Sequence, residues 1–248
     1  MKPLIISAFP GKGKSYIYKN CGLDSRYHIN SIDSDSSKYS WIWKDGVKTE
    51  IRNGNFINDY MNHIEEQMLN EAIDVIFISS HSDVRKGLRD RKIDYYLVYG
   101  YMEDKQDYID LYKERGNSEK FIENIKKNYD SYIESMDHES FPTKIKLHAR
   151  EFITPELIQQ LLAGYLPEKY KDHTALYRSK HWDVADIEEI SKTINIDWDI
   201  FSIHANGLSD EVLKKYPLNL HYIQKYQKLS KKQKDYVKRA IQKNKNKK

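Results

Sequence analysis

The chain has a single cysteine, Cys21, among its 248 residues. No intrachain disulfide can form, which points to a reducing, intracellular setting. No apolar run approaches the roughly 18 residues that a membrane span requires. The opening "MKPLIISAF" is also too short for the apolar core of a secretory leader. These absences lead us to expect a cytoplasmic protein without membrane contact. Acidic residues are scarce at one end only. From Lys225 onward there are eleven Lys and Arg and one acid, Asp235, whereas the preceding residues hold 30 basic and 36 acidic side chains. The net charge of +4 therefore combines an acidic body with a basic end. Such an end suits contact with phosphates or acidic partners, and equally a solvated terminus.

Apolar residues make up 39% of the chain, enough for a core in one large domain or a domain with an appendage. Strand-like runs occur at 3–9 ("PLIISAF"), 27–33 ("YHINSID"), 74–80 ("DVIFISS"), 94–100 ("DYYLVYG") and 143–148 ("TKIKLH"). Segments of helical period alternate with them. One begins at Lys14 or Ser15, and others lie at 56–72, 82–91, 104–137 and 154–162, the last with Thr154 as its cap and Pro155 at the first helical position. This alternation predicts an α/β domain over 1–163, a parallel sheet covered on both faces, with ligands at the carboxyl ends of its strands. After Gly164 the strand signal stops. Residues 198–216 and 220–237 look alike, with Leu208-Ser209 recurring as Leu229-Ser230 and a fainter copy at 182–191. This predicts a helical, basic extension over 164–248 in which each serine caps a helix.

The first strand leads into Ala8-Phe9-Pro10-Gly11-Lys12-Gly13-Lys14-Ser15. A glycine loop between strand and helix presents several amide hydrogens to one anion, a lysine at its mouth reaches the outer phosphates, and the next hydroxyl can ligate Mg²⁺. The spacing matches the phosphate-loop pattern except that Ala8 stands in place of the first glycine. The expected ligand is a nucleoside triphosphate. Gly11, Lys12, Gly13, Lys14, Ser15 and Tyr16 would touch it.

Asp33 and Asp35 end the second strand, where a carboxylate can take a proton from an acceptor hydroxyl or hold Mg²⁺. Ser15 and Asp33 are the expected metal side chains. Tyr39, Trp41 and Trp43 follow, suited to packing or to stacking on a base. At the end of the third strand the metal-binding Asp usual in such proteins is missing, and Ser79 and Ser80 stand there. His81 and Asp83 come next. His81 serves either the cleft or a helix cap, and Arg85 is a candidate for gripping an acceptor phosphate. Arg89 and Arg91 read as surface residues. In "DLYKERGNSEKF" (110–121), Lys113 and Arg115 could cover a transferring phosphoryl group, with Gly116 as the hinge of a lid.

The motifs "AFPGKGKSY", "DSDSS" and "YKERG" resemble the nucleoside and nucleotide kinase branch of phosphate-loop proteins over about residues 1–163, and more narrowly phage-encoded nucleotide-kinase-like proteins. The resemblance implies a three-layer kinase-like fold with five parallel strands in the order 2-3-1-4-5. It also implies ATP and Mg²⁺ as the cofactors, a donor-side lid and an acceptor site near strand two.

Three functions fit these residues. The first is transfer of the γ-phosphoryl group to a nucleoside monophosphate, with Lys14, Asp33, Asp35 and Arg115 as catalytic residues and Asp35, Trp41, His81 and Arg85 holding the acceptor. The second is a polynucleotide or modified-base DNA kinase in which Asp35 or Asp33 is the base and the basic tail tracks nucleic acid. The third is a nucleotide-binding interaction module without catalysis. Oligomeric state is not legible.

Overall fold

A computed structural model describes residues 2–23, 25–167, 173–194 and 196–245. The chain divides into two compact units, Met1–Lys171 and Asp172–Lys248.

The first unit is an α/β domain. Its sheet contains β1 (Leu4–Ala8), β2 (Ser31–Asp33), β5 (Val75–Ser79), β6 (Tyr96–Tyr99) and β7 (Thr143–Lys146). Every pairing is parallel, and the spatial order is β2-β5-β1-β6-β7. The order differs in numbering from the expected 2-3-1-4-5 because an unforeseen antiparallel hairpin, β3 (Trp41–Lys44) and β4 (Val47–Arg52), forms a sheet of its own. Counted among the five sheet strands alone, the order is second, third, first, fourth, fifth.

The strands alternate between two apolar clusters. Ile5, Ile76, Ile78, Leu97 and Tyr99 face α3 (Phe56–Met68), α4 (Ser82–Asp90), α5 (Lys105–Glu114) and α6 (Glu119–Asp137). Ile6, Ala8, Val75, Phe77, Val98 and Ile145 face α1 (Lys14–Asn20) and α7 (Pro155–Leu162). The central strands β1, β5 and β6 thus bury both of their faces, which is why the sequence shows continuous apolar runs there rather than alternation. Thr154 caps α7 by accepting from the Leu157 amide at 3.2 Å, with Pro155 at the first helical position. The expected second strand is trimmed to three residues. Ser37–Ser40 forms a short helix, α2, before the hairpin.

The second unit is helical: α8 (Thr174–Arg178), α9 (Val184–Ile190), α10 (Trp198–His204), α11 (Val212–Lys215), α12 (Leu220–Tyr226) and α13 (Lys231–Lys245). Trp182 is fully buried there, its indole N–H donating to the Tyr177 carbonyl at 2.7 Å and its ring edge-on to Phe201. Of the two serines of the repeat, Ser230 accepts from the Gln233 amide at 3.3 Å directly before α13, as expected, whereas Ser209 accepts from the Val212 amide at 3.3 Å but α11 itself begins after Glu211, without a side-chain cap. No helix among the described residues is long and apolar enough to cross a membrane.

Candidate active site

The loop after β1 lies at the carboxyl edge of the sheet, and its conformation depends on glycine. Gly11 has φ +85° and Gly13 φ +92°, a region that side-chain-bearing residues rarely enter. The Phe9 amide donates to Val98 O and the Lys12 amide to Phe9 O, and α1 begins with the Tyr16 and Ile17 amides on Gly13 O. Among the described residues, the amides of Gly11, Gly13, Lys14 and Ser15 donate to no protein acceptor. Unused donors grouped on one turn are the local chemistry of an anion cradle.

Lys14 belongs to that cradle. Its ammonium donates to Ala8 O at 2.7 Å. Burial lowers its pKa to about 8; Asp33 and Asp35 act against the shift and Arg115 adds to it. A bound polyphosphate would offset that desolvation. Ser15 Oγ donates to Asp33 Oδ2 at 2.7 Å, joining the start of α1 to the end of β2. Mg²⁺ in nucleotide sites usually takes one or two protein oxygens, the rest coming from water and phosphate. The Ser15–Asp33 pair fits that need. A cluster of three or more metal-ligating side chains is absent among the described residues.

Lys12 departs from expectation. Its side chain is fully buried and points away from the cradle, donating to Leu147 O at 2.8 Å, His148 O at 2.6 Å and Glu151 O at 3.4 Å. Its carbonyl accepts from the Ile153 amide at 3.0 Å. Lys12 is therefore a strut between the loop and the segment after β7, and its side chain is not a phosphate ligand. Burial pulls its pKa to about 7, opposed by Asp104 and Glu151. Three carbonyl acceptors are satisfied best by the ammonium form.

Two elements clasp the loop. From one side comes the end of α5. Tyr112 donates to Pro10 O at 2.8 Å, and a Cβ added at Gly11 would stand 3.1 Å from Arg115 Nη1. Arg115 makes no ion pair among the described residues, whereas Lys113 pairs with Asp110 at 2.9 Å. Gly116, at φ +71°, ends α5. Arg115 thus meets the loop from a docked helix end, with no swing required. From the other side, Phe152 approaches so closely that a Cβ on Gly13 would lie 3.2 Å from its Cβ. Between the clasps is a cavity of about 600 Å³ lined by Lys14, Tyr16, Leu111, Arg115, Phe152 and Pro155, among others. That volume falls inside the roughly 300–1,000 Å³ range of small-molecule sites. Tyr16 is exposed on its rim. Sequence reasoning missed Leu111 and Phe152. The signal for Phe152 was an apolar side chain directly after the last strand, just before a Thr-Pro helix start.

A second hollow of about 260 Å³ lies beyond Phe9 and Pro10, lined by His81, Arg85, Phe121, Tyr132 and Met136 among others. Its size suits one ring system better than a whole nucleotide. Arg85 is buried, its Nη2 donating to Ser135 Oγ at 2.6 Å and its Nη1 lying 3.7 Å from Glu139. Its Nε and Nη1 make no hydrogen bond. His81 precedes α4 without capping it through its side chain. Desolvation lowers its pKa; Asp83 counteracts this, while Lys14, Arg85 and Arg52 add to it. Arg89 and Arg91 pair with Glu139 and Glu65, away from the loop.

Two other expected residues are already engaged. Asp35 accepts from the Ser37 amide at 2.8 Å and from Ser37 Oγ at 2.7 Å, so both of its oxygens serve the start of α2. The Trp41 ring carries the Arg52 guanidinium at 4.0 Å and the Lys48 ammonium at 4.5 Å, so it is not an open stacking surface. Tyr39 packs against Tyr60 and His63. No family model and no curated protein matches this chain.

Proposed function

We propose that the chain is an ATP-dependent phosphotransferase, with the triphosphate on the loop 8–16 and the acceptor at the carboxyl edge of the sheet, one part of it entering the hollow that Arg85 and His81 line between α4 and α6. The observation that carries this reading is the convergence on one turn of four amides without acceptors, the Lys14 ammonium and the Ser15–Asp33 pair, with Arg115 over Gly11.

In this reading the amides and Lys14 bind the β- and γ-phosphates. Ser15 and Asp33 would hold a Mg²⁺ ion, which would supply neutralisation of charge on the phosphate oxygens. Arg115 covers the γ-phosphoryl group as charge spreads over its equatorial oxygens, and Leu111 and Phe152 shield the site from water. The acceptor oxygen attacks the γ-phosphorus, the bond to the β,γ-bridging oxygen breaks, and ADP leaves. A nucleoside monophosphate is the first acceptor, because a phosphate oxygen needs no general base and Asp35 is already occupied by Ser37. A polynucleotide acceptor, with Asp33 or Asp35 as base, is a second reading, supported by the cationic hairpin beside this site.

The test is ATP binding by calorimetry together with transfer of labelled γ-phosphate to nucleosides, nucleotides and DNA oligomers. Lys14→Ala is expected to weaken ATP binding at least tenfold and abolish transfer. Unchanged ATP affinity in that variant overturns the assignment.

A further inference from the structure

The hairpin β3–β4 is the least explained part of the first unit. Its two strands pair with no other strand, and a two-stranded hairpin alone is marginal in water. Of the twelve exposed large hydrophobic side chains in the described residues, four lie in these twelve residues: Ile42, Trp43, Val47 and Ile51. Trp43 is 48% exposed, and its indole N–H is tied to Lys38 O at 2.8 Å, which fixes the ring while leaving it open.

The charges around it are also uncommitted. Lys38, Lys44, Lys48 and Arg52 form no ion pair among the described residues, and only Asp45 and Glu50 oppose them locally. Trp43 stands opposite Lys48 and Trp41 opposite Arg52 in the register, and both cations lie against the Trp41 ring. A fixed, half-open indole beside ordered, unpaired cations, within an otherwise acidic body, matches a strand of alternating base and phosphate. The hairpin also springs from the acceptor side. It follows Asp33, Asp35 and α2 directly, and the Asn53 amide closes it by donating to Ser40 O at 3.1 Å.

We propose that the β3–β4 hairpin binds a single-stranded or locally unpaired nucleic-acid strand, with Trp43 stacking on one base and Lys44 and Lys48 contacting flanking phosphates. The inference rests on the phosphotransferase reading in its second, polynucleotide form in one respect: the bound strand would carry the acceptor group. An unpaired strand is chosen over a duplex because only unpaired bases offer a ring face to Trp43.

The experiment is fluorescence anisotropy of a labelled 15-nucleotide oligothymidylate with the full chain at several salt concentrations. Trp43→Ala is expected to weaken binding by about 5- to 150-fold, the range for loss of one stacked base. Lys44→Gln with Lys48→Gln is expected to lower the slope of log affinity against log salt by about 1.4, for two phosphate contacts on a single strand. The lysine pair is solvent-exposed, so it remains a valid test if Trp43→Ala disturbs the hairpin in circular dichroism. A blunt duplex of the same length is expected to bind more weakly. The proposal is overturned if both hairpin variants retain wild-type affinity and slope, whatever the basic tail contributes, or if the duplex binds as well as the single strand. It is equally overturned if sedimentation shows self-association that Ile51→Ser or Trp43→Ala abolishes. ATP affinity is measured on the same wild-type preparation, so absent ATP binding reveals failure of the phosphotransferase reading independently of the oligonucleotide result.

Discussion

Replacing Lys12 by methionine tests the most consequential departure of this site from its sequence pattern. The ammonium is fully buried, and burial takes its pKa from 10.5 to about 7. At about 1.36 kcal/mol per unit, keeping it charged costs about 5 kcal/mol relative to the unfolded chain. Between pH 7 and 10.5 the unfolded chain binds the extra proton, so wild-type stability rises with pH across that window. Below pH 7 both states are protonated and the penalty is constant. Methionine removes the titration. It also leaves the carbonyls of Leu147, His148 and Glu151 without this donor, at about 1–3 kcal/mol for each that stays unsatisfied. That loss does not vary with pH and cancels from the comparison. The stability of wild type minus Lys12→Met should therefore increase by about 3 kcal/mol from pH 7 to pH 9.5. Urea unfolding followed by circular dichroism at four pH values measures it. A difference flat to within about 0.5 kcal/mol would mean that the ammonium is solvated, as a lysine reaching into the phosphate site would be, and the strut would be refuted.

Glu103 provides a second titration of opposite sign. Both of its carboxylate oxygens are buried without a hydrogen bond, and burial raises its pKa to about 7. The folded state holds the extra proton between pH 4.5 and 7, so wild-type stability falls as pH rises through that window. Glu103→Gln should be more stable than wild type at pH 8 by up to about 3 kcal/mol, the gain disappearing by pH 4.5; a gain independent of pH would contradict this. Gly13→Ala must hold φ near +92° with its Cβ 3.2 Å from that of Phe152. Calorimetry should show ATP binding weakened about 5- to 150-fold, from a strain of about 1–3 kcal/mol, with helical content unchanged; full affinity would mean that the loop is not preformed.

Much of the fold was legible because local chemistry agrees with tertiary need. Ile5 and Ile6, or Ile76 and Phe77, point to opposite faces of one strand and are buried on both, so the run itself declares an interior strand. Thr154-Pro155 announces a helix start in any context. The hairpin was also written in the sequence and went unread: Asp45-Gly46, at φ +51° and +75°, is a two-residue turn of the type that joins antiparallel strands.

Gly11, Gly13, Lys14 and Ser15 follow one another along the chain, so their spacing alone declared a strand, a tight turn and a helix start with donors to spare. The direction of Lys12 could not be read that way, because its acceptors at Leu147, His148 and Glu151 are brought to it only when β7 pairs beside β6. The same holds for Arg115 over Gly11 and for Arg85 beneath Ser135 and Glu139. Backbone conformation and periodicity are local properties and travel with the sequence. The partner of a long charged side chain is chosen by whichever distant segment the fold places within its reach.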